Sequence, residues 1–234
     1  MGTGYLDQLK QEAFEVNMGI VRERLVVLTW GNASSFDRSN GIFAIKPSGV
    51  SYSLLKWQDM VLVDLDGNVI DSKLKPSSDT LTHLEIYKGF SSVGGIVHTH
   101  SPWATIWAQA CKSIPVIGTT HSDHFNGDVP CIPYLNKAKV ESAYEKETGI
   151  QIVEYFKEEK LDPIHMPACL LSGHASFTWG ENSNKAFENA VALEACAYMA
   201  YHSIILNSNI QFPKYILNKH FTRKHGEKAY YGQK

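Results

Sequence analysis

The 234-residue chain lacks the features that mark several large protein classes. Cysteine is sparse: Cys111, Cys131, Cys169 and Cys196 are widely spaced and form no C-x-x-C pair. A disulfide framework is therefore not expected, and a reducing compartment fits best. Long apolar runs are missing, and the first residues carry Asp7, Lys10, Glu12 and Glu15. That start resembles neither a secretory leader nor a membrane span, so a cytoplasmic protein with no membrane partner is expected. Charge of one sign is lacking as well. A formal net charge of −2 argues against nucleic acid as a dominant partner. Neither G-x-x-x-x-G-K-[ST] nor G-x-G-x-x-G occurs, so a nucleotide is not indicated, and the absence of H-E-x-x-H weighs against a zinc peptidase. There is no domain-sized repeat, no low-complexity segment and no Pro/Gly/Ser-rich linker. With 44% hydrophobic residues, one domain over residues 1–234 is expected.

The pattern that is present reads as a mixed α/β chain. Leu6, Leu9, Ala13, Val16 and Ile20 recur at helical spacing. Leu25–Thr29 is a short β-rich run, followed by a turn-rich segment, Trp30–Ser35. Ile42–Lys46 predicts a strand. Met60–Leu65 and Val69-Ile70 flank Asp66-Gly67-Asn68, a hairpin signal. A helix is expected after Ser78-Asp79-Thr80, a strand over Gly94–Thr99, and a helix opening at Ser101-Pro102. Asn136–Lys160 reads as a charged helical stretch broken near Thr148-Gly149. Ala168–Leu171 and Ser176–Trp179 read as strands. Asn182–Leu206 predicts the longest helix, with Phe187, Val191, Ala195 and Tyr198 near one face. Hairpins in series with helices suggest a central, mostly antiparallel sheet covered by helices.

Chemistry concentrates at His98-Thr99-His100. Residues two apart on a strand share a face, and neutral imidazoles are good Zn²⁺ ligands. A catalytic zinc usually takes three protein ligands, and His83, His121, His124, His174 or a carboxylate remain open as the third. Asp79, in Ser-Ser-Asp-Thr, reads by itself first as a helix cap rather than a ligand. Gly31-Asn32, Ser48-Gly49 and Ser77-Ser78 each place backbone N–H or hydroxyl donors in a turn beside a strand end, with Lys46 adding charge. Such groups cradle phosphate oxygens. Asp123, within Thr119–His124, is either an acid/base group or a solvated loop residue. The C-terminal run from His220 to Gly232 is basic and aromatic, a tail that either frays or reaches into a site.

In combination, T-W-G-N, I-K-P-S-G-V, K-P-S-S-D-T, G-G-I-V-H-T-H-S, A-T-I-W-A-Q-A, G-T-T-H-x-D and K-A-Y-Y-G-Q resemble the class II, zinc-dependent sugar-phosphate aldolase and epimerase family. The resemblance spans nearly the whole chain. It implies an α/β fold with a mostly antiparallel sheet and a homotetramer of fourfold symmetry with active sites between subunits. It implies one Zn²⁺ per subunit on Asp79, His98, His100 and His174, other divalent metals being chemically admissible. It assigns a sugar phosphate to Gly31, Asn32, Lys46, Ser48, Gly49, Ser77 and Ser78. Asp123 and Tyr231 match the family's acid/base pair, with Tyr231 entering from the adjacent subunit and His220 and Arg223 in support.

Within the family the match is closest to the epimerase branch, which interconverts L-ribulose 5-phosphate and D-xylulose 5-phosphate. It does so by breaking and remaking C3–C4 with metal assistance, in arabinose catabolism or a route from ascorbate or gulonate. The alternative is a fuculose- or rhamnulose-1-phosphate aldolase. The resemblance of Asp79, where those aldolases carry glutamate, favours the epimerase, as do Asp123 and the Tyr230-Tyr231 tail. A non-catalytic relative such as the adducin head is disfavoured by the full ligand set.

Overall fold

A computed structural model describes residues 3–225 and 229–230. Tyr231 lies outside the described residues. One seven-stranded sheet organises the chain. Its strands are β1 (Asn32–Asp37), β2 (Ile42–Ile45), β3 (Val61–Asp64), β4 (Gly95–Thr99), β5 (Cys131–Ile132), β6 (Ala168–Leu171) and β7 (Ser176–Gly180), in the order β3-β2-β1-β4-β7-β6-β5. All neighbours are antiparallel except the short β5–β6 pair. The expected architecture is therefore the observed one.

Helices cover both faces: α1 (Thr3–Arg22), α2 (Thr80–Gly89), α3 (Pro102–Gln109), the single turn α4 (Thr119–Ser122), α5 (Lys137–Glu158), α6 (Ser183–Leu206) and α7 (Lys214–His225). Strand alternation divides the core. Phe43, Ile45, Val61, Val63 and Ile96 face a cluster with α2, α5 and the far half of α6, while Ala44, Leu62 and Val97 face α1. The α1 residues Leu9, Ala13, Val16 and Ile20 are buried, as their spacing predicts.

Four local expectations are corrected. Leu25–Thr29 is not a strand: Leu28 adopts φ 55° and is 76% exposed. The strand is instead the polar segment read as turn-rich. β1 tolerates buried Asn32, Ser34 and Ser35 because each side chain finds a partner across the fold, in Asp79, His83 with Tyr87, and Glu12 respectively. The return arm of the Asp66–Asn68 hairpin shrinks to one bridge, Val63 to Val69. α5 breaks at Ala143 (φ −158°, ψ 70°), not near Thr148-Gly149. Gly149 instead marks where α5 meets α2, since a Cβ there would lie 2.7 Å from the Thr82 carbonyl oxygen. On α6 the buried face is Ala186, Asn189, Ala190, Leu193, Cys196, Ala197 and Ala200, while Ala195 and Tyr198 are exposed. Phe187 and Val191 are half-buried against the α1 cluster.

All four cysteines are free thiols. Ser101 does not cap α3 with its side chain; the Glu194 carboxylate accepts from the backbone N–H groups of Trp103 and Ala104, each at 2.9 Å. Among the described residues, no helix is long and apolar enough to cross a membrane.

Candidate metal centre and sugar-phosphate cleft

β4 carries His98 and, just past its end, His100. The turn between β6 and β7 delivers His174 beside them. The ligand-capable atoms of these three side chains all lie within 4.8 Å of one another. His98 Nδ1 donates to the Ser176 carbonyl oxygen at 2.9 Å, which leaves Nε2 as the lone-pair nitrogen. Nε2 is 4.0 Å from Asp79 Oδ2. Burial pushes all three imidazoles down, His174 to about 4, so each is neutral near pH 7 and presents a free lone pair. His174 Nδ1 is buried with no hydrogen-bond partner among the described residues. Clustered neutral imidazoles with an unsatisfied nitrogen fit a divalent cation.

Asp79 occupies the N-cap position of α2, yet its side chain makes no cap hydrogen bond. It turns toward the histidines and accepts from Asn32 Nδ2 at 2.6 Å. Burial opposes its ionisation, but His98, His83 and the Asn32 bond outweigh that and hold the carboxyl below its ordinary range. The other histidines left open by the sequence lie elsewhere. His83 is buried under the site, His121 donates to the Gly127 carbonyl oxygen at 2.7 Å, and His124 stands beside Asp123.

The histidines and Asp79 line a cleft of about 610 Å³ that also gathers Gly31, Asn32, Lys46, Ser48, Gly49, Ser77 and Ser78. Two hairpin-like crossings hold the donors together: Ser48 N–H bonds the Lys75 carbonyl oxygen and Ser77 N–H bonds the Lys46 carbonyl oxygen. Gly31 is needed where β1 enters the cleft. Its φ is 90°, and a Cβ would sit 2.8 Å from the His98 carbonyl oxygen. Lys46 is 2% exposed. Its Nζ is 3.3 Å from the Pro47 carbonyl oxygen and 4.8 Å above the Tyr52 ring, with no carboxylate at ion-pair distance among the described residues. Asn32 Oδ1 is likewise buried without a partner.

Trp30, Tyr144 and Glu145 join the lining without having been singled out by the sequence. Trp30 is 52% exposed with its ring 6.4 Å from His100, and a large exposed aromatic beside a glycine was the available signal. Tyr144 and Glu145 arrive through the break at Ala143, which helical spacing does not reveal.

Asp123 does not line this cleft. It lies in a second cleft of about 630 Å³ with Ser92, Val93, Gly180, Glu181, Lys224 and His225. Of these, Ser92, Val93, Gly180 and Glu181 lie at the start of β4 and the end of β7, whereas His100 and His174 follow or precede the opposite ends, since Gly95 pairs with Gly180 and Thr99 with Ser176. At about 3.3 Å per strand residue, the two clefts stand apart by the length of β4, on the order of 15 Å. α7 clasps Asp123: Arg223 Nη2 lies 2.7 Å from Oδ2 and 3.0 Å from Oδ1, His220 Nδ1 lies 3.1 Å from Oδ1, and Lys224 Nζ lies 3.6 Å from Oδ2. Burial raises this carboxyl, but those partners prevail and hold it below the ordinary range.

The sheet, its helical layers and a histidine cleft at a strand end define an aldolase-type platform. Residues 11–201 match the family described as the class II aldolase and adducin N-terminal domain, and the chain belongs to that family. A protein of Salmonella paratyphi A (strain ATCC 9150 / SARB42) named L-ribulose-5-phosphate 4-epimerase UlaF is 47% identical over 230 residues, covering 98% of this chain and 100% of its own. The protein of that name from Salmonella typhi matches equally. The solved structure of an L-fuculose 1-phosphate aldolase superposes with a TM-score of 0.77 at 25% identity, over 92% of this chain and 95% of that one.

Proposed function

We propose that the protein interconverts L-ribulose 5-phosphate and D-xylulose 5-phosphate. One observation carries this reading: a metal-competent histidine cluster opens into the same cleft as an unpaired buried ammonium, in a chain 47% identical to proteins named L-ribulose-5-phosphate 4-epimerase. C4 of the substrate bears no acidic proton, so inversion requires C3–C4 to break and re-form. Asp79, His98, His100 and His174 would hold one Zn²⁺ per subunit, and Co²⁺ or Mn²⁺ suits the same donors. When bound, such a cation supplies positive charge that stabilises the negative charge left on the ketone fragment.

The chain's own residues do the rest. Lys46, Ser48, Ser77 and Ser78, with backbone donors at Gly31 and Gly49, bind the phosphate and hydroxyl oxygens. The free Oδ1 of Asn32 accepts from a substrate hydroxyl while its amide steadies Asp79. Cleavage removes the proton of the C4 hydroxyl and yields glycolaldehyde phosphate. Rotation of that aldehyde presents its other face, and rejoining needs a proton delivered to the new C4 oxygen. Asp123 and Tyr231 are the two proton handlers, each worth on the order of 10²–10⁴ in rate.

Asp123 stands at the far end of β4 from its own metal cleft, clasped by the helix that leads into the Tyr231 tail. This supports a ring in which each subunit lends both groups to its neighbour, as a homotetramer of fourfold symmetry does. The reading is of a cytoplasmic enzyme of pentose catabolism, one domain per chain, with no nucleic-acid or membrane partner. A coupled assay on L-ribulose 5-phosphate tests it by following D-xylulose 5-phosphate and free glycolaldehyde phosphate together. Formation of the first without the second is expected. Aldehyde release matching turnover would mean an aldolase, and purified protein without stoichiometric divalent metal would sink both.

A further inference from the structure

Beneath the cleft lies a polar chain that the reaction above does not use. His83 follows Asp79 by four positions, one turn along α2, and is fully buried. Its Nδ1 is 2.7 Å from Ser34 Oγ, which is 2.6 Å from the Tyr87 hydroxyl. Its Nε2 is buried with no partner among the described residues. The ring meets Phe177 edge-on at 6.0 Å, and Phe177 stacks on His98 at 4.2 Å. His83 thus reaches toward two of the metal-site residues at once, and its charge interactions are with Asp79 and His98.

One direction of this chain leaves the fewest buried groups unpaired. Burial keeps Tyr87 a protonated phenol, so its single hydrogen goes to its partner, Ser34 Oγ. In that direction the Ser34 hydrogen is left for His83 Nδ1, which accepts. A neutral imidazole that accepts at Nδ1 carries its hydrogen on Nε2. The unpartnered atom is then a buried N–H donor, on a ring whose charge interactions are with Asp79 and His98. Asp79 Oδ2 already accepts from Asn32, and no direct bond joins it to His83.

We propose that His83 is a positioning residue: the Tyr87–Ser34–His83 chain aims an Nε2–H donor that holds the Asp79 carboxylate, through one buried water, in the orientation in which it meets the metal. A buried water with polar partners is the usual remedy for such an orphan donor. Residues of this kind behind a metal ligand typically change metal affinity by about 10- to 100-fold. The inference rests on Asp79 being a metal ligand.

The test uses full-length protein stripped and reloaded with Co²⁺, measuring the visible ligand-field spectrum, cation affinity against a competing chelator, and unfolding of the metal-free chain. His83→Leu should weaken Co²⁺ binding by about 10- to 100-fold and alter the spectrum. His83→Gln, which restores an N–H donor at the tip, should recover most of both. Ser34→Ala, which keeps the imidazole but frees its tautomer, should alter the spectrum in the same sense with a smaller affinity loss. If His83→Leu does not fold, Ser34→Ala and His83→Gln decide. Wild-type spectrum and affinity in Ser34→Ala, or no recovery by His83→Gln, overturns the proposal. Failure of the functional reading is seen separately, as wild-type protein that binds no stoichiometric metal.

Discussion

Replacing Lys46 by methionine should make the free protein more stable and the bound state weaker. Lys46 is 2% exposed, and its ammonium has one long hydrogen bond, 3.3 Å, and one ring face, 4.8 Å, to set against its lost hydration. Burial accordingly pushes its pKa down. Desolvating an ammonium costs several kcal/mol even after relaxation. The ring contributes about 1–2 kcal/mol and the carbonyl about 1 kcal/mol in return. Methionine has nearly the same length and no charge, so a gain of about 1 kcal/mol is expected, equivalent to a Tm rise of about 2–4 °C in a chain of this size. With a phosphate in the cleft the same ammonium makes a charge-assisted bond worth about 2–3 kcal/mol. Its loss should raise KM for L-ribulose 5-phosphate about 30- to 150-fold. Thermal unfolding with and without inorganic phosphate, alongside steady-state kinetics, reads both effects. Phosphate should raise the wild-type Tm and leave that of Lys46→Met nearly unchanged. A variant that is less stable, with unaltered KM and an unaltered phosphate response, would refute the assignment and make Lys46 a structural residue.

Three further outcomes are expected. Gly31→Ala forces a Cβ to 2.8 Å from the His98 carbonyl oxygen at φ 90°; a loss of about 1–3 kcal/mol in urea unfolding, with lowered metal content, should follow. The Asp123 carboxyl is held below its ordinary value of 3.8, so the stability it lends α7 is present above about pH 4 and lost as pH falls through the folded value. Hydrogen exchange of α7 amides should show protection that holds down to about pH 4 and collapses in stronger acid, and Asp123→Asn should weaken it above that pH; equal protection in the variant would contradict the clasp. His174→Ala should lose metal while Tyr231→Phe keeps it and loses turnover. Mixing and reassembling these two inactive variants should restore a fraction of activity if proton handler and metal site come from different subunits, and none if they come from one.

The sheet and most helices were legible because their residues obey local rules. The α1 stripe, the Ser101-Pro102 start and the H-x-H spacing each needed only neighbours in sequence. β1 was illegible for the opposite reason: Asn32, Ser34 and Ser35 look like turn residues until Asp79, His83, Tyr87 and Glu12 supply their partners. The choice of His174 over His83, His121 and His124 followed from family resemblance, and the structure places it in one cluster with His98 and His100. The far placement of Asp123 had no sequence signal at all, because a motif does not say at which end of a strand its loop will land. Tyr144 and Glu145 were hidden by the backbone break at Ala143, which no apolar period marks.

Asp79, the His98–His100 pair and His174 come from three separate stretches of chain that only the finished sheet brings together. A cation bound across them would act as a reversible cross-link closing two large loops. Its binding energy would count toward folding, by about 2.7 kcal/mol when free metal is a hundredfold above its dissociation constant. Chain synthesised under metal starvation would then be more exposed to proteolysis than its contacts alone suggest, and its abundance would follow metal supply even before catalysis does.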